Sequence, residues 1–98
     1  DPVVWRHQGC AELINALQAA DGKWDGIIFN PAGYSHTSVA LADTIAAVST
    51  PVVEVHISNI HAREPFRQQS LTARNSRGVI GGFGLDSYRL AVESFRIR

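Results

Sequence analysis

The chain has 98 residues, 45% of them apolar and 18% charged, with a formal net charge of +0. That length holds one small domain burying about two-thirds of its unfolded surface, and neutrality excludes bulk electrostatic binding to nucleic acid or an anionic membrane, so any anion site must be local. No apolar run reaches the ~20 residues that span a bilayer, no signal peptide is legible, and the single Cys10 excludes an internal disulfide and fits a reducing compartment such as the cytoplasm.

Val3-Val4-Trp5 reads as a short strand. From Glu12 to Ala20, Leu13, Ile14 and Leu17 fall at helical spacing, and Asp21-Gly22-Lys23 is a turn that stops the helix. The continuous apolar run from Gly26 to Asn30 predicts a strand covered on both faces, broken by Pro31-Ala32-Gly33-Tyr34. Thr37-Ser38 starts a second helix, with Leu41, Ile45 and Val48 at i, i+4 and i+7, ended by Thr50-Pro51. A strand follows over Val52 to Ile57. A long loop then runs from Ser58 to about Ser76, with a turn of helix at Arg63-Glu64-Pro65-Phe66. Gly78 to Gly82 is the last strand, and Asp86 to Phe95 the last helix, with Tyr88, Ala91, Val92 and Phe95 on one face. Strands alternating with helices predict right-handed βαβ units and a parallel sheet, with sites beyond the carboxyl ends of the strands. Asn30, the segment His56-Ile57-Ser58, and Gly81-Gly82-Phe83-Gly84 stand at three such ends.

On the third strand, Glu54, His56 and Ser58 share one face, and Val53, Val55 and Ile57 the other. A carboxylate two residues from an imidazole can orient it and hold it protonated, as a general acid requires; a structural ion pair uses the same two residues. Arg67 brings an anion-binding fork close in sequence. Asn30 before Pro31 suits either a turn or a site. His36 stands at a helix N-terminus, which favours a neutral, hydrogen-bonding imidazole; it also suits a surface cap. His56 and His61 with Asp43 or Glu54 match no zinc spacing. Gly81-Gly82-Phe83-Gly84 lacks the Lys and Ser/Thr of a phosphate loop, so close backbone packing is expected there. Lys23, the only lysine, is predicted at the edge away from these strand ends, so Schiff-base chemistry has no nucleophile. Cys10, with His7 nearby, is read as incidental.

Two long runs, Phe29 to Asp43 and Val53 to Arg67, resemble the signatures of type II 3-dehydroquinate dehydratase. The tail Gly78-Val79-Ile80-Gly81-Gly82-Phe83-Gly84, followed by Tyr88, resembles it too, and the likeness runs from about Glu12 to Phe95 without a gap. The resemblance implies a flavodoxin-like α/β three-layer sandwich with a parallel sheet. It implies anti elimination of water from 3-dehydroquinate through an enolate, giving 3-dehydroshikimate, in shikimate or quinate metabolism. No imine, metal or other cofactor takes part. By motif position, His56 would protonate the departing hydroxyl and Glu54 would orient it. Asn30 would contact substrate and help hold a water at the enolate. The amides of Ile57 and Ser58, with the Ser58 hydroxyl, would take the carboxylate. His36 and Arg67 would bind ring hydroxyls, and Asp43 would reach a neighbouring subunit's site in a homo-oligomer, a trimer assembling into a dodecamer.

The family's first strand, with its Asn-Gly-Pro-Asn motif, and the lid carrying an Arg and the base Tyr are not matched in residues 1–98. Nor do Trp5 to Ala11 match the family's Ser-Asn-x-Glu-Gly pattern well. With no methionine and an Asp1-Pro2-Val3 start, the expectation is the C-terminal two-thirds of such a domain. That first strand is central in flavodoxin order, so an open slot beside the second strand is expected, to be filled by a separate N-terminal segment. The alternative function is a non-catalytic ligand-binding or assembly fragment without the base. A phosphoreceiver or flavin module fits poorly, because no acid cluster or Ser/Thr-rich phosphate loop follows the early strands.

Overall fold

The computed structural model describes residues 3–5, 10–31, 38–62 and 70–97. Among the described residues four strands, β1 (Val3–Trp5), β2 (Ile27–Phe29), β3 (Val52–His56) and β4 (Gly78–Gly81), form one sheet in the order β1-β2-β3-β4. Every pairing is parallel, with Ile28 level with Val53 and Val55 level with Ile80. The helices are α1 (Cys10–Ala20), α2 (Val39–Ala47) and α3 (Asp86–Ser94). Short 3-10 turns lie at Ile60–Ala62 and Ala73–Asn75. None of the described helices is long and apolar enough to cross a membrane.

The layers follow from the apolar pattern. On one face Leu13, Leu17 and Ala20 of α1 and Leu41 and Ile45 of α2 pack on Ile27, Phe29 and Val52. On the other, Ala91 of α3, with Tyr88, Val92 and Phe95, packs on Ile28, Val53 and Val55. A sheet covered on both sides explains why β2 and β3 are buried at every position. Each large apolar side chain so buried contributes about 1.5–3 kcal/mol. This is the three-layer α/β arrangement expected from the sequence.

The expected open slot is absent. β1 pairs directly with β2 over Val3↔Ile27, Val4↔Ile28 and Trp5↔Phe29. Strand N–H and C=O groups left without partners are costly to bury, and the two parallel edges satisfy one another here.

α2 also ends sooner than expected, at Ala47 rather than near Thr50. Ser38 caps its start by accepting from the Leu41 amide at 3.1 Å, a contact worth about 1 kcal/mol. Beyond its end, Oδ1 of Asp21 accepts from the amides of Ser49 and Thr50 at 2.9 and 3.0 Å and from both of their hydroxyls. Thr50 precedes Pro51 and is steered out of helical geometry. Its hydroxyl accepts from the Gly22 amide at 2.8 Å, so two connections at the amino end of the sheet are tied together. Gly22 sits at φ 80°, where glycine alone is comfortable.

Candidate functional site

The carboxyl ends of β2, β3 and β4 lie side by side, with Phe29 level with Glu54 and His56 level with Gly81. β3 contributes most. Glu54 and His56 share one face of the strand, as alternation requires, and both are buried, at 0% and 5% exposure. His56 Nε2 lies 2.6 Å from Oε2 of Glu54. The sequence expectation of a carboxylate facing an imidazole on this strand therefore holds in space.

Residues 70–73 complete the surroundings of Glu54. The Ser70 hydroxyl donates to Oε2 at 2.8 Å, and the Thr72 hydroxyl donates to Oε1. Burial alone pushes the carboxyl of Glu54 upward, but the bonds from His56, Thr72 and Ser70 outweigh it and hold it below its ordinary value. Glu54 thus stays ionised beside His56. Ser70 and Thr72 were not singled out from sequence. The available signal was general: a glutamate inside a Val/Ile strand needs donors from elsewhere in the chain, and hydroxyls in the next loop supply them.

Two glycine amides close the end of β3. The Gly82 amide donates to the His56 carbonyl at 3.2 Å, and the Gly84 amide to the Ile57 carbonyl at 2.9 Å. Gly82 stands at φ 90° and Gly84 at φ 61°, where glycine alone is comfortable. Close backbone packing was expected of this glycine run, but an added Cβ would meet only ordinary contacts at Gly81 and Gly82 and nothing within 4 Å at Gly84, so the left-handed backbone at Gly82 and Gly84 is what glycine serves here. Ile57 and Ser58 follow His56 with exposed side chains. At the end of β2, Asn30 donates through Nδ2 to the Tyr88 hydroxyl of α3 at 2.8 Å. Tyr88, expected on an apolar helix face and after the family-like glycine tail, also fixes the Asn30 amide.

Asp43 is placed differently. It is exposed on α2 and lines a cavity of about 500 Å³ with Val39, Ala42, Ser70, Leu71 and Arg74. Ser70 belongs to both places, touching Glu54 on one side and this cavity on the other. His36 and Arg67 lie outside the described residues. Lys23 lies in the turn between α1 and β2, at the opposite end of the sheet from His56, as anticipated. Among the described residues no group of three or more His, Cys, Asp or Glu is placed to hold a metal ion.

Comparison with known proteins converges on one family. The class II dehydroquinase family model matches residues 4–96. A 3-dehydroquinate dehydratase of Anoxybacillus flavithermus is 56% identical over 80 residues, which are 82% of this chain and 54% of that protein. A catabolic 3-dehydroquinase of Penicillium rubens is 47% identical over 87 residues, 89% of this chain and 55% of that one. The crystal structure of a type II dehydroquinase from Butyrivibrio crossotus superposes with a TM-score of 0.88 at 38% identity, covering 92% of this chain and 63% of its own. The chain thus spans about half the length of the curated relatives it matches. With nearly all of its residues matched by one family and its sheet and helices superposing on a solved member, the chain belongs to the class II dehydroquinase family.

Proposed function

We propose that the chain carries the proton-donating and substrate-holding side of a hydro-lyase that converts 3-dehydroquinate to 3-dehydroshikimate by anti elimination through an enolate. The observation that supports this most is the buried, ionised Glu54 bonded to His56 at the carboxyl end of β3. In this reading a base removes the carbon-bound proton, and the electron pair passes into the enolate. Collapse of the enolate expels the hydroxyl, which leaves as water with the proton given by His56. Glu54 orients the imidazole and stabilises its charged form. Asn30, its amide held by Tyr88, faces the enolate with a bound water. The amides of Ile57 and Ser58 and the Ser58 hydroxyl take the substrate carboxylate, while His36 and Arg67 grip the ring hydroxyls.

The base is assigned to neither tyrosine of the chain: the Tyr88 hydroxyl is engaged by Asn30, and Tyr34 lies in the substrate-binding motif. It belongs instead to a lid of the family type, supplied by polypeptide outside residues 1–98. The reaction needs no cofactor, and the protein works in the cytoplasm as a homo-oligomer, a trimer or a dodecamer built as a tetramer of trimers. Asp43 then reaches the neighbouring site from the exposed face of α2. The deciding experiment is an ultraviolet assay of 3-dehydroshikimate formation by the full-length protein, with sedimentation velocity on the same sample. His56→Ala is expected to lower kcat by roughly 10²–10⁴-fold. Full turnover in that variant overturns the assignment of the acid, and a monomer overturns the assembly. A full-length protein that binds 3-dehydroquinate without turnover returns the ligand-binding alternative.

A further inference from the structure

We infer that Ser70 and Thr72 are positioning residues: a two-hydroxyl clamp that holds the Glu54 carboxylate ionised and aimed at His56. This rests on the role proposed above for His56 and adds the parts that set it. Glu54 lies on an inner strand, flanked by β2 and β4, and is fully buried, so no bulk water solvates it. Both carboxylate oxygens are occupied, Oε2 by His56 at 2.6 Å and Ser70 at 2.8 Å, and Oε1 by Thr72. Thr72 is itself fully buried.

The clamp is anchored independently of the pair it serves. Ser70 Oγ accepts from the Ala73 amide at 3.1 Å, and the Thr72 carbonyl accepts from the Ser76 hydroxyl at 3.0 Å. The same turn reaches α2 through Asn75 Nδ2, which donates to the Ala42 carbonyl at 2.8 Å. Thus the hydroxyls are fixed by the Ala73–Asn75 turn and by α2, and Glu54 is fixed by them.

The electrostatic surroundings make the hydroxyls decisive. β2 and β4, on either side of Glu54, carry no titratable side chain over Ile27–Phe29 and Gly78–Gly81. Asp43 of α2 and Arg74 of the turn are exposed on the cavity that Ser70 also lines. Among the described residues the titratable group bonded to Glu54 is His56. Remove the hydroxyls and two of the bonds that oppose burial are lost, so Glu54 takes up its proton at a higher pH. A protonated carboxyl becomes a donor and loses one of the acceptor positions that turned the imidazole toward substrate.

The test replaces Thr72 by valine, which keeps the shape and deletes the hydroxyl, and reads two things. The first is the pH titration of the Glu54 side-chain carboxyl by ¹³C NMR, which needs no turnover. Its midpoint is expected to rise by about one pH unit in Thr72→Val and to return in Thr72→Ser. The second is the pH–rate profile of the full-length protein. Its acidic limb should move up with the same midpoint, and kcat should fall roughly tenfold with KM little changed. Ser70→Ala should move both readouts the same way and serves if Thr72→Val does not fold. A Glu54 midpoint in Thr72→Val equal to the parent's overturns the clamp, as does an acidic limb that stays in place while the midpoint moves. Retained turnover in His56→Ala overturns the acid assignment instead, and a moved Glu54 midpoint in that case leaves the clamp as a property of the fold. The two failures are therefore distinguishable.

Discussion

Burying an ionised carboxylate costs several kcal/mol unless donors replace its water, and among the described residues His56, Ser70 and Thr72 bond to Glu54. The sign of its linkage to stability follows from its lowered folded-state value. Stability from the charged form is present above the unfolded carboxylate value and is lost as pH falls through the folded one. A second position illustrates how one atom decides a packing. At Gly26, just before β2, an added Cβ would land on the Phe95 ring. That ring packs against the α3-side core, and the Arg77 guanidinium lies 5.8 Å from its centre. Gly26→Ala is expected to destabilise by about 1–3 kcal/mol, measured as the urea midpoint at constant slope. The double variant Gly26→Ala/Phe95→Leu should recover part of the loss. An unchanged midpoint in the single variant would contradict the overlap.

Among the elements, the connection between α2 and β3 owes its course to a residue 28 positions away. Asp21, in the turn after α1, accepts from the amides and hydroxyls of Ser49 and Thr50. The Thr50 amide foremost, then the Ser49 hydroxyl, hold its carboxyl below the usual value despite the opposing effect of burial. The folded value being depressed, this contribution is complete above the unfolded carboxylate value and disappears as pH falls through the folded one. Asp21→Asn keeps an acceptor but removes the charge. It is therefore expected to lower Tm at pH 7, with the difference from the parent shrinking below about pH 4. A difference that does not change with pH would assign the effect to geometry alone.

For the molecule as a whole, stability is distributed unevenly across the sheet. β3 is flanked by β2 and β4 and covered by helices on both faces, whereas β1 is a three-residue edge strand with β2 as its partner. Local opening costs least where few contacts must break. Native-state hydrogen exchange should therefore find the Val53–Val55 amides most protected and those of Val3–Trp5 exchanging faster by orders of magnitude. Equal protection across the sheet would mean that β1 opens only with the rest. The same gradient suits the site, since Glu54 and His56 are carried by the most firmly held strand.

Much of this was legible in order along the chain. The apolar run at Gly26–Asn30 and the alternation at Val52–Ile57 determined two covered strands, and the 3.6-residue periods at Leu41/Ile45 and Tyr88/Ala91/Val92 determined helix faces, because burial selects side chains by period. The Glu54–His56 pair was legible for the same reason: residues two apart on a strand must share a face. Tertiary structure alone decided what comes from afar. Ser70 and Thr72 reach Glu54 from 16 and 18 positions away, Tyr88 reaches Asn30 from 58, and Asp21 ends the course of α2 from 28. It also decided that β1 closes directly on β2. Periodicity reports which face a residue turns to the core; which hydroxyl or strand edge meets it there depends on loop closure and on the need to satisfy every buried polar group, neither of which is written locally.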